Sequence, residues 1–200
     1  MDRIKFSKPV NWETNENIKK ALQDQKVISN LKENKLSDAY EIIISEFTYS
    51  WKDVSAFTAM LIDCGVDIFK YLSRIPRGCF YDLPLSEVYI PTTIKQICIN
   101  AFCGTTLEKI IVPGSVYRVG VHSLGSCYFL TEIELEEGVE ILNKMAISSC
   151  VNLKYVYLPK SLQRIDDGNF RNCPDVVVIC HEGSYAHEWC EDNYINFKIH

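Results

Sequence analysis

The sequence contains no apolar run close to the roughly 18 residues a membrane-spanning helix requires, which excludes such a span. Its first twenty residues, MDRIKFSKPVNWETNENIKK, lack an apolar stretch of the kind that directs export. The chain is therefore expected to stay where it is made, in the cytoplasm. Catalytic signatures are missing as well: there is no glycine-rich phosphate loop, no H-E-x-x-H and no G-x-S-x-G, so no enzymatic activity and no cofactor are expected. Basic charge is in short supply. Residues 1–72 carry 10 Lys/Arg against 11 Asp/Glu, and residues 73–200 carry 11 against 15, which together give the net charge of −5. A nucleic-acid partner normally needs a basic surface to displace phosphate counterions, so this balance argues against one and permits a basic protein partner.

The sequence is rich in internal repetition. Aligned on the leucine that opens each unit, segments start at Leu85, Leu107, Leu130 and Leu153, at spacings of 22, 23 and 23 residues. Further columns hold the same register: Val88, Ile110, Ile133, Val156; then Ile90, Val112, Leu135, Leu158; then Ile94, Val116, Val139, Leu162; then Ile97, Val119, Leu142, Ile165. Pro91, Pro113 and Pro159 form a proline column that Glu136 interrupts. Phe80, Phe102, Leu124, Ile147 and Phe170 form another, which starts one unit earlier and marks a partial repeat near Ile75. No unit of this size buries its apolar residues alone. Stacked units bury the columns against each other and form a continuous core. The two-residue step from Val88 to Ile90 is a strand alternation, and the proline that follows ends the strand because it has no N–H for the ladder.

The nine cysteines are an odd number. In the absence of an export signal they read as reduced, buried thiols. Cys127, Cys150 and Cys173 recur at 23-residue steps and fit a stacked column of small core residues; a metal or redox site is the alternative. Two other arrangements bear on chemistry. Cys180, His181, His187 and Cys190 combine zinc-ligating residue types, but at a spacing that matches no common structural zinc site. His122 and Cys127 share one unit and pair a base with a thiol, although Cys127 belongs to the core column and His122 to a surface connection.

The stretches IVPGSVYRV, YLPKSLQRI, NAFCGTTLEKI and NFRNCPDV resemble the BspA-like leucine-rich repeats, across about residues 73–200. HEGSYAHEWCEDNYINF is similar to that family's closing cap: a turn into a helix at about Ala186–Asp192, with Trp189 and Cys190 inward, then a final strand. The resemblance implies an α+β fold: a leucine-rich-repeat β-solenoid of about four to five repeats, with a C-terminal cap from about residue 180. It also implies binding rather than catalysis. Family members include surface adhesins, and short intracellular versions with a helical N-terminus are similar to proteins encoded by phages and mobile elements. An inhibitor or effector of a host protein is thus the first functional reading, an adhesin-like or structural binding protein the second, and an enzyme the third and least favoured.

Residues 1–72 do not repeat and read as helical. Helices are expected at Thr14–Leu31, at Ser37–Phe47 with Ser37 as its cap, and at Ser50–Cys64; the run Ile42–Ile44 is equally compatible with a buried strand. Ser50 followed by Asp53 suggests a capping box, and Val54, Phe57, Leu61 and Cys64 share a face that Gly65 ends. This third of the chain is expected to seal the first repeat, with a separate effector or oligomerisation module as the alternative.

Residues between the core columns of each strand should point out of the solenoid: Glu87 and Tyr89, Lys109 and Ile111, Glu132 and Glu134, Tyr155 and Tyr157. These eight are the candidate partner-binding residues, because tyrosine is favoured at interfaces and a solenoid's sheet face is its usual contact surface. Glu132, Glu134, Glu136, Glu137 and Glu140 suggest an acidic patch among them. The alternative is that outward Tyr and Ile merely suit strand geometry.

Overall fold

The computed structural model describes residues 3–47 and 50–200. The chain opens with strand β1 (Ile4–Phe6) and a single 3₁₀ turn (Trp12–Thr14), followed by four helices. These are α1 (Glu16–Ala21), α2 (Gln25–Lys32), α3 (Leu36–Ile42), which runs on into a wide π-type turn over Ile43–Phe47, and α4 (Trp51–Asp63). A 3₁₀ turn at Ile68–Lys70 then leads into the repeats.

The single helix expected over Thr14–Leu31 is two. Asp24 ends the first by capping the second: its carboxylate accepts the N–H of Lys26 at 2.7 Å and of Val27 at 3.3 Å. The next helix starts at Leu36 rather than after a Ser37 cap, with Lys35 at the cap position and no side-chain bond there. The run Ile42–Ile44 is helical. Ser50 does precede α4, but its hydroxyl caps nothing. Asp53, expected to complete a capping box, instead accepts from the side-chain amides of Asn15 at 2.8 Å and Asn17 at 3.0 Å, tying α4 to α1. Val54, Phe57 and Leu61 are buried as expected, whereas Cys64 is exposed at the end of the helix. There Gly65 N–H bonds to Ile62 O and Val66 N–H to Leu61 O, a Schellman closure that places Gly65 at φ +76°.

Two strands per repeat follow. The longer ones are β3 (Leu85–Val88), β5 (Lys109–Val112), β7 (Glu132–Leu135), β9 (Tyr155–Tyr157) and β11 (Val177–Cys180). Ahead of each lies a two-residue strand: β2 (Arg74–Ile75), β4 (Gln96–Ile97), β6 (Arg118–Val119), β8 (Ile141–Leu142) and β10 (Arg164–Ile165). Helix α5 (Tyr185–Asp192) and strand β12 (Phe197–Ile199) close the chain.

The short strands form one parallel sheet in the order β10-β8-β6-β4-β2, and the long strands another in the order β12-β11-β9-β7-β5. β3 lies beside β5, joined by the Thr106 hydroxyl donating to Leu85 O at 2.8 Å. The register follows the sequence columns: Ile110 faces Ile133 and Ile133 faces Val156. A separate two-stranded sheet was not expected. β1 pairs antiparallel with β3, Ile4 opposite Val88, and covers that edge.

The core is one continuous cluster from Ile18 in α1 to Cys190 in α5. Phe80 and Phe102 stack with ring centroids 5.0 Å apart and planes 10° from parallel, and Phe69 from the helical third packs on Phe80 at 6.2 Å. A buried triangle reinforces that junction: the Tyr40 hydroxyl meets Thr58 Oγ1 at 2.7 Å and Cys79 Sγ at 3.6 Å, and the last two lie 3.5 Å apart. At the other end Trp189, half-buried, sets its ring edge-on to Phe170 at 5.9 Å while Cys190 is fully buried. No helix among the described residues is long and apolar enough to cross a membrane.

Candidate functional site

Strand alternation decides which side chains face out. Ile110, Val112, Ile133, Leu135 and Val156 point inward and are buried, so their neighbours point outward. Two outward rows run across the sheet. The first joins Lys109, Glu132 and Tyr155 and the second Ile111, Glu134 and Tyr157; Glu87 and Tyr89 are exposed at the same positions of the preceding repeat, on β3 and just after it. All eight residues singled out from the sequence therefore lie on one face. Glu132 is half-buried and the other seven are exposed.

The rows differ chemically. In the first, Lys109 pairs with Glu132 at 3.2 Å and Glu87 with Lys5 of β1 at 2.5 Å, so four charges neutralise one another. In the second, Tyr89 is 63% and Ile111 52% exposed, and Glu134 has no cationic partner among the described residues. The structure adds apolar neighbours that strand reasoning missed. Tyr128, Phe129 and Val151 are exposed on the turns that precede β7 and β9, where Asn152 Nδ2 donates to Tyr128 O at 2.7 Å and locks the two turns together. Their signal in the sequence was a column of turn residues outside the strand register. At the far end of the second row, Glu134, Tyr157, Ile179, His181 and His200 border a shallow cleft of about 250 Å³. That is smaller than the roughly 300–1,000 Å³ typical of ligand pockets and suits a protruding side chain better than a cofactor.

The expected acidic patch is met in part: Glu134, Glu136 and Glu137 all border that cleft, but the last two are engaged by backbone N–H groups. Glu136, which stands where the other units have proline, accepts the Gly114 N–H at 3.1 Å. Glu137 accepts the N–H groups of Lys160 at 2.7 Å and Ser161 at 3.0 Å. Partial burial works to raise the Glu137 carboxyl, but those two N–H groups, with Ser161 Oγ and nearby His181, outweigh it and leave the group below its ordinary value. Glu140 belongs to the other sheet, immediately before β8. Of the five glutamates, only Glu134 is left uncommitted on the long-strand face, because the turns between strands have unpaired N–H groups that carboxylates satisfy.

The thiols do not form a site. Cys127, Cys150 and Cys173 are buried in one column, with Thr105 at its head 3.5 Å from Cys127 Sγ. Cys127 donates to Phe102 O at 3.2 Å and Cys150 to Leu124 O at 3.1 Å. Cys150 is kept in its thiol form by the flanking thiols and by burial, and burial pushes Cys79, Cys103 and Cys190 up to about 12. The nine cysteines are all free, and six are buried; Cys64 is exposed and Cys98 and Cys103 are half-buried, so the expectation of uniformly buried thiols holds only in part.

His122 lies in a connecting turn as expected, half-buried at φ +51° with its ring against Gly125, and among the described residues no hydrogen bond joins it to Cys127. Of the four candidate zinc ligands, the two cysteines lie against each other and the two histidines are engaged elsewhere. Cys180 and Cys190 are buried, the His181 ring faces His200 at 5.7 Å, and the His187 ring packs on Phe197 at 4.9 Å. Among the described residues no group of three or more His, Cys, Asp or Glu side chains is arranged to hold a metal ion.

Two parallel ladders, one turn per 22–23 residues and an outward strand face define a leucine-rich-repeat solenoid. The chain belongs to the BspA type leucine rich repeat family, whose model matches in six copies over residues 54–177 and so begins inside α4. A crystal structure of a leucine rich cell surface protein from Faecalibacterium prausnitzii A2-165 is similar at 23% identity and a TM-score of 0.35. The alignment covers 55% of this chain and 39% of that one, so the chain spans well under half of that protein's length. No curated protein matches the chain.

Proposed function

We propose that this protein is a non-catalytic binding module that holds a protein partner on the face of its long-strand sheet. The observation that carries this reading is the second outward row, in which Tyr89, Ile111 and Tyr157 stay exposed beside Glu134, together with Tyr128 and Phe129, exposed on the turn that enters β7. β-propensity explains an isolated outward tyrosine. It does not explain Tyr128 and Phe129, which lie in turns and gain nothing from strand geometry, yet are 55% and 58% exposed. Amphipathic aromatic side chains over a rigid sheet are the usual anchors of protein interfaces, since little side-chain freedom is lost on binding.

Glu134, the uncommitted carboxylate, favours a partner that brings a basic residue to the middle of the face. The free thiols support a reducing compartment such as the cytoplasm as the place of action. The test is co-purification from source-cell extract with wild type and with a Tyr89/Tyr155/Tyr157→Ala variant. The variant is expected to keep its circular dichroism spectrum and lose the partner; a partner retained in full would sink the proposal.

A further inference from the structure

The short-strand sheet lies on a different side of each turn and presents a chemically different row. Its outward residues, in register across the strands, are Arg74, Gln96, Arg118, Ile141 and Arg164. The end arginines are already engaged: Arg74 meets Glu41 at 2.8 Å, and Arg164 meets Asp166 at 3.0 Å. Arg118, between them, has no carboxylate partner among the described residues. Its guanidinium carbon lies 5.7 Å from the centre of the Tyr117 ring, and Tyr117 is in turn hydrogen-bonded to Gln96. The side chain is half-buried, with Nε shielded from solvent and lacking an acceptor.

An arginine held in this way has given up much of its rotamer freedom before anything binds, and it offers a planar fork of donors suited to a carboxylate. Exposed Arg77, Lys95 and Lys144 stand two residues or fewer from the same short strands, also without carboxylate partners among the described residues. The positive field is bounded. Glu140 adjoins it before β8, and Asp166 and Asp167 follow β10. With strands about 4.8 Å apart, Arg74 and Arg118 are separated by about 10 Å, the span of a few residues of extended chain.

We propose that this second face is a docking site for a carboxylate-rich segment of a protein partner, seated on Arg118 and flanked by Lys95 and Arg77. The charge complementarity is local and geometric. A planar carboxylate fits the arginine fork, whereas a long polyanion would run into Glu140 and Asp166. The site is independent of the long-strand face, and its test needs no knowledge of what that face binds.

The probe is a fluorescein-labelled triglutamate peptide, about 10 Å long when extended, titrated with the full chain at low salt and followed by anisotropy. Binding should weaken as salt rises. Arg118→Lys keeps the charge and removes the fork, so it should weaken binding about tenfold. Lys95→Glu, at an exposed position, should weaken it at least as much and remains informative if the Arg118 variant misfolds. Lys20→Glu, on exposed α1 surface, makes the same change in net charge and should leave binding intact. The proposal is overturned if the peptide does not bind at low salt, if Lys95→Glu and Lys20→Glu behave alike, or if a single-stranded octathymidylate binds more tightly than the peptide.

Discussion

Replacing Phe102 by alanine should cost the solenoid a large share of its stability. The ring is fully buried and stacked on Phe80 at 5.0 Å, in a turn with neighbours on both sides. Phe→Ala at such a site removes about 3–5 kcal/mol, and the loss of the stacked partner favours the upper part of that range. A domain of this kind holds about 5–15 kcal/mol in total. Because each turn touches only its neighbours, a defect at the centre weakens two inter-turn contacts where one at an end weakens a single contact. At roughly 2–4 °C per kcal/mol, the melting temperature should fall by about 6–20 °C. The assay is urea unfolding followed by circular dichroism, with thermal melting alongside. Phe129→Ala is the internal comparison: the same substitution, but at a residue 58% exposed, expected to stay within about 0.5 kcal/mol of wild type. Equal losses from the two variants, or a loss below about 1 kcal/mol for Phe102→Ala, would refute the packing argument.

Two further outcomes follow from local geometry. Gly114→Ala would place a Cβ 1.8 Å from the Glu137 carbonyl oxygen in the next turn, whereas Gly65→Ala meets nothing within 4 Å and suffers only from its φ of +76°. The second should cost about 1–2 kcal/mol and the first clearly more, as read from urea midpoints; the reverse order would contradict the close approach of the turns. Glu137, with its carboxyl held below the ordinary value, contributes stability above about pH 4.5 that is lost as pH falls through and below that value. Melting curves of wild type and Glu137→Gln should therefore differ at neutral pH and converge on acidification, and a gap that does not change with pH would rule out the carboxylate as its cause.

How much was legible in the sequence depended on whether a residue's environment repeats. Every apolar column found at the 22–23-residue period lies in the core, except that Val88 is only partly buried. The eight outward strand residues face outward for the same reason: alternation is a property of the backbone, and the period carries it from one turn to the next. The glutamates show where this ended. From sequence, five formed one patch. In the fold, Glu136 and Glu137 turn to backbone N–H groups one repeat away, and Glu140 lies beside the other sheet. The helical third was read with the right character but the wrong joints, because Asp24, Asp53 and Ser50 each had a choice of partners that local spacing did not resolve.

By itself, then, the sequence determined the period, the core columns, the stacked thiols and the outward strand face, since each of these follows from periodic burial along a nearly one-dimensional stack. The tertiary structure alone decided the features in which chain segments far apart in sequence meet. β1 returns to cover β3, with Lys5 neutralising Glu87. Tyr40 reaches Thr58 and Cys79 to join the helices to the first turn. Among the described residues Arg118 is left without a carboxylate between two arginines that have one. No local pattern encodes these meetings, because the energy of a salt bridge or buried hydroxyl depends on which partner the fold brings within reach.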